Sequence, residues 1–110
     1  MDQQSAINAV TKYADVVKDH FPVRKVILFG SYARGDQRKY SDIDVAVVVE
    51  RLEKDILTSS ALLQRLIRDI DLSIEPLLLI EGYDPSGFLE HIEATGIVVY
   101  SAPSTVSASV

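Results

Sequence analysis

The 110-residue chain is 47% apolar with a formal net charge of −5 and no cysteine. That composition gives one domain enough core to fold alone, and the acidic balance argues against an independent grip on a nucleic-acid backbone. Disulfides, thiolate catalysis and zinc–thiolate sites are excluded.

The first element is an amphipathic helix over residues 4–19, in which Ile7, Val10, Ala14 and Val17 recur at helical spacing before Phe21-Pro22. Its charges leave no signal-peptide core, and no apolar run approaches the roughly 20 residues needed to span a bilayer. A cytoplasmic protein without membrane attachment is expected. A strand from Val23 to Phe29 follows, then a turn and a short helix, Ser31 to Arg34, closed by Gly35 in a left-handed turn. The polar run Asp36 to Ser41 returns the chain to a second strand, Ile43 to Glu50, whose valines predict burial on both faces.

Lys54 to Ile70 reads as the next helix, with Ile56, Ser59, Ser60, Leu63, Leu66, Ile67 and Ile70 on one side and Arg65 and Arg68 near its C-terminus. Asp71 to Ile80 is the third strand. Asp84 at a cap and Pro85 at the first helical position open the last helix, which turns Phe88, Leu89 and Ile92 to the core and stops at Gly96. Ile97 to Tyr100 forms a short final strand. The domain therefore covers residues 1–100, and the small polar residues 101–110 read as a disordered tail without chemistry. Alternating helices and strands make the fold class α/β, with a mixed sheet flanked by helices.

The chemistry concentrates between Leu28 and Val49. Leu-Phe-Gly-Ser-Tyr-Ala-Arg-Gly leads into Asp42-Ile43-Asp44 and a run of valines. Strand side chains alternate faces, so Asp42 and Asp44 share one side while Ile43 points to the core. Two carboxylates there repel each other and resist burial unless a cation or solvent meets them, and hard oxygen pairs suit Mg²⁺. Gly30 permits close backbone approach, and Ser31 opens a helix whose free amides and dipole favour a phosphate. Arg34, one turn on, can add a charge-assisted contact.

Gly-Ser, a ten-residue gap and Asp-x-Asp resemble the nucleotidyltransferase superfamily of DNA polymerase β. Leu-Phe-Gly-Ser-Tyr-Ala-Arg-Gly with Ser-Asp-Ile-Asp looks like its minimal nucleotidyltransferases, small single domains of prokaryotes. The resemblance implies a small polymerase-β-like fold, ATP as substrate and two Mg²⁺ ions held by three acids. It also implies that Gly30, Ser31 and Arg34 bind the nucleotide and that Asp42 and Asp44 are catalytic metal ligands. Such domains often pair with a HEPN toxin and act as antitoxin by transferring AMP to a toxin tyrosine, which makes this chain an adenylyltransferase with a protein partner. A homo-oligomer is left open.

The third acid lies near the third strand. Asp71, Ser73, Glu75 and Leu77 share a face if pairing is regular. Asp71, in Ile-Asp-Leu, matches the family's lettering, whereas Glu75 better matches the distance to the final Val-Val-Tyr. Glu75 is preferred and Asp71 kept as the alternative. His20 and His91 read as structural, and Tyr32 as core or rim packing. Two other functions compete: a small-molecule nucleotidyltransferase of the antibiotic-modifying kind, for whose acceptor domain 110 residues leave no room, and a non-catalytic module that masks a toxin, against which the intact carboxylates argue.

Overall fold

The computed structural model describes residues 1–103. Helices and strands alternate as α1 (Gln3–Val17), β1 (Val23–Phe29), α2 (Ser31–Arg34), β2 (Ile43–Val49), α3 (Ile56–Arg65), β3 (Ile74–Ile80), α4 (Phe88–Thr95) and β4 (Ile97–Ser101). The four strands form one mixed sheet in the order β3-β2-β1-β4. β1 runs antiparallel to β2 and to β4, while β2 and β3 are parallel, joined by the α3 crossover.

The valine run of β2 explains the layering. Ile43, Val45, Val47 and Val49 enter a core that also buries Ala6, Val10, Tyr13, Ala14 and Val17 of α1 and Leu63 of α3. Ala46 and Val48, on the other face, pack with Ile27 of β1 and with Leu89 and Ile92 of α4. Both faces are thus covered near the sheet centre, as an uninterrupted apolar strand requires. The Tyr13 hydroxyl crosses the larger core to donate to Leu63 O at 2.8 Å, tying α1 to α3.

Several boundaries depart from the sequence reading for local reasons. α3 starts after Asp55, whose carboxylate accepts from Thr58 N at 2.8 Å, and it ends at Arg65 because the following amides bond three residues back, Ile67 to Gln64 and Arg68 to Arg65. Ile56 and Ser60, expected on the core side, are exposed, while Ser59 is buried. The third strand begins at Ile74 rather than Asp71. The Asp71 carboxylate accepts from Ser73 N at 2.8 Å, a side-chain turn that competes with strand pairing.

At α4 the N-cap is Gly87, in the left-handed region at φ 75°, and not Asp84. Asp84 still does the chemistry of a cap from farther back, its two carboxylate oxygens accepting from Leu89 N at 2.9 Å and Glu90 N at 3.0 Å. Phe88 is partly exposed rather than core. The expected tail begins too early: Ser101 belongs to β4 opposite Lys25, and Ala102 N donates to Arg24 O at 2.8 Å. Backbone pairing is indifferent to small polar side chains, so composition could not mark that end. Residues 104–110 lie outside the described residues.

Gly96, read as a helix stop, has a second reason to be glycine. A Cβ there would lie 2.7 Å from Ile92 O, 2.8 Å from Leu28 O and 2.8 Å from Ile27 Cγ2, so α4 could not turn so closely onto β1. Gly96→Ala is expected to destabilise the domain by about 1–3 kcal/mol, as overpacking against fixed backbone does. Urea unfolding measures it, and an unchanged midpoint would mean that this turn relaxes freely.

Candidate active site

β1 delivers the chain to Gly30, whose φ of 75° and ψ of −151° suit only glycine. The position is constrained twice, because a Cβ at residue 30 would overlap the Asp44 carboxylate at Oδ2. The turn and the acid on the neighbouring strand therefore fit together only without a side chain. α2 then rises for one turn. Its first returning amide is Arg34 N, bonded to Gly30 O at 3.1 Å, and the Ser31, Tyr32 and Ala33 amides have no backbone acceptor among the described residues. Tyr32 is buried in the main core, as its reading as a packing residue expected, and anchors this short helix.

Strand register assembles the acids. Asp44 lies opposite Phe29 at the end of β1 and opposite Glu75 of β3. Asp42 stands just before β2 and is exposed, as is Glu75, whereas Asp44 is half-buried. Burial pushes the Asp44 carboxyl above the usual carboxylate range, and the charges of Asp42 and then Glu75 push the same way, with Arg34 opposing. Gly30, Asp42, Asp44 and Glu75 are thus brought to one end of the sheet. Asp71 lies outside β3, three residues before its first residue, and its carboxylate accepts from Ser73 N.

Arg34 reaches this cluster by its field, while its guanidinium Nε pairs with Asp36 at 3.1 Å. That partner was not singled out in the sequence, where Asp36 is one of several polar loop residues. Sequence reading also missed that α4 completes a wall. A cleft of about 400 Å³ runs between α2 and α4, lined by Phe29, Gly30, Ala33, Arg34, Phe88 and His91 among others. Phe29 and Phe88 meet edge to face with centroids 5.7 Å apart. The spacing of Phe88, His91, Ile92 and Thr95 on one helix face was the available signal.

Among the described residues no three His, Asp or Glu side chains are already gathered as a chelating group. The donor set nevertheless suits a hard divalent cation. Asp42 and Glu75 take part in no ion pair or side-chain hydrogen bond among the described residues, and the repulsion on Asp44 is what a cation would relieve.

A family model described as Polymerase beta, Nucleotidyltransferase matches residues 11–105. The curated relative named "Putative protein adenylyltransferase MJ0141", from Methanocaldococcus jannaschii, is 35% identical over 79 residues, covering 68% of this chain and 77% of its own. Three further curated relatives from that organism are spanned for only 36%, 58% and 42% of their lengths. Among solved structures, a "putative nucleotidyltransferase" from Sulfolobus solfataricus superposes with a TM-score of 0.68 at 24% identity, covering 90% of this chain and 83% of that one. A chain from the complex of a tri-AMPylated Shewanella oneidensis HEPN toxin with an MNT antitoxin gives a TM-score of 0.60 at 23% identity, covering 91% and 73%. At such identities the structural likeness speaks for the fold. With the sequence match over most of its length and the strand order placing Gly-Ser beside Asp-x-Asp, the chain belongs to the polymerase β nucleotidyltransferase family.

Proposed function

We propose that this chain is a Mg²⁺-dependent protein adenylyltransferase of the cytoplasm, which moves AMP from ATP to a tyrosine hydroxyl of a partner HEPN toxin and so acts as its antitoxin. The observation that carries the chemical part is the register that sets Asp44 between Gly30 and Glu75. The partner rests on the minimal-nucleotidyltransferase motif, on relatives named as protein adenylyltransferases, and on neighbours solved as toxin–antitoxin complexes.

Asp42, Asp44 and Glu75 would hold the metal. Bound there, Mg²⁺ supplies charge neutralisation of the triphosphate and lowers the pKa of an acceptor hydroxyl. Gly30 leaves room for the Asp44 carboxylate, so that the phosphates would approach the turn and the acid together. The free amides of α2, the Ser31 hydroxyl and Arg34 orient them, with Arg34 leaving Asp36 to do so. Glu75, exposed and opposite Asp44, would draw the acceptor proton as the hydroxyl oxygen bonds the α-phosphorus and pyrophosphate departs in line. The site is open, so the remaining wall and the orientation of the nucleophile must come from the partner. A net charge of −5 disfavours an RNA strand in that role.

Asp44→Asn is expected to lower transfer by about 100-fold or more while leaving the fold at least as stable as wild type. The sign follows from the raised carboxyl: the folded state holds the Asp44 proton more tightly than the unfolded state, so that contribution to stability is lost as pH rises through the Asp44 titration. The thermal midpoint of the variant should therefore match or exceed wild type near pH 7, with the gap closing toward about pH 4. A variant that unfolds more easily at neutral pH would show Asp44 to be structural.

Glu75→Gln should cost far more turnover than Asp71→Asn, whose effect is the loss of a turn. The opposite ranking would move the third ligand to Asp71. Incubation of the chain with ATP, Mg²⁺ and its HEPN partner should add AMP units to the partner in intact mass spectrometry, and none with Asp44→Asn. Modification of a small alcohol with the bound partner left unchanged would overturn the substrate assignment.

A further inference from the structure

We infer that Gln3 is a positioning residue for nucleotide binding, its side-chain amide fixing the short helix that presents Ser31 and Arg34. Gly30 O accepts from Arg34 N at 3.1 Å, and Ser31 O accepts from both Gly35 N and Asp36 N, the latter at 3.1 Å. Gly35 takes the left-handed conformation at φ 78° and the chain leaves the helix, so no backbone donor among the described residues reaches the next two carbonyls. Gln3 Nε2 supplies both bonds, donating to Tyr32 O at 2.8 Å and to Ala33 O at 3.3 Å across 29 and 30 residues of sequence.

Four residues make too short a helix to hold its own shape, since nucleating one turn is unfavourable in isolation. α2 is held instead from two sides. Tyr32 is sunk in the core, and Gln3 projects from the first turn of α1, a helix whose Ala6, Val10, Tyr13, Ala14 and Val17 are all buried. The amide grips the carbonyl end of α2, so the opposite end, with its free N–H groups, keeps one direction relative to Asp44. An interaction remote from the phosphates thus fixes the groups that would touch them. The inference rests on the reading that α2 receives the triphosphate.

The test uses the full chain and three variants. Gln3→Ala removes the donor, Gln3→Glu replaces it with an acceptor, and Gln3→Lys restores a donor of similar reach. Calorimetric titration with a non-hydrolysable ATP analogue and Mg²⁺ should show affinity falling about fivefold to tenfold for the Ala and Glu variants and staying within about twofold for Lys. Amide exchange of Arg34, Gly35 and Asp36 should speed up in Gln3→Ala without ligand, with the α1 core amides unchanged. Wild-type affinity in the Ala and Glu variants, or a Lys variant as weak as Ala, overturns the inference. If wild type itself fails to bind the analogue, the proposed function fails, and unchanged exchange in α2 then separately overturns the role of Gln3.

Discussion

The site is built around the close approach of the Gly30 backbone to the Asp44 carboxylate. Any side chain at residue 30 would occupy the space of Asp44 Oδ2, and the left-handed φ there would strain it besides. One antiparallel pairing therefore brings the Gly30 turn and the Asp44 carboxylate side by side. Everything that holds β1 and β2 in register, from the buried valines to the turn at Gly96, also holds that juxtaposition.

The same arrangement sets a useful tension. β2 buries five consecutive residues, Val45 to Val49, on two faces, yet its second position is an acid whose ionised form is disfavoured by burial and by two neighbouring carboxylates. Apolar packing elsewhere in the strand offsets that local cost, and the unmet negative charge stays directed at the open end of the sheet. A site of this kind gains more from a divalent cation than a solvated surface carboxylate pair would. It is open to solvent where Asp42 and Glu75 are both exposed.

Much of this was legible in the sequence because the signals were local or strictly periodic. The strand from Val23 to Phe29, the turn of helix from Ser31 to Arg34 and the two-sided burial of β2 follow from alternation, glycine placement and valine density. Side-chain competition for backbone bonds was harder to read. Asp71 fits a strand by its letters but takes the Ser73 amide, and Asp84 caps α4 without standing at its N-cap. Long-range partners were harder still: alternation offered Glu75 and Asp71 alike, and nothing near Gln3 marked its partner. The register that puts Glu75 beside Asp44 and the grip of Gln3 on α2 both depend on how separate elements dock.

The central claim is that the end of the sheet at Gly30, Asp42, Asp44 and Glu75 is a divalent-cation site. Titrating the isotope-labelled protein with substoichiometric Mn²⁺ and following amide resonances tests it most directly, since paramagnetic broadening reports distance to the ion and needs no turnover. The account predicts that Gly30, Ser31, Asp42, Ile43, Asp44 and Glu75 lose intensity first, and that excess Mg²⁺ restores them. Broadening centred on another acidic region, such as Glu50 to Glu53, or spread evenly over the acidic surface, would contradict it.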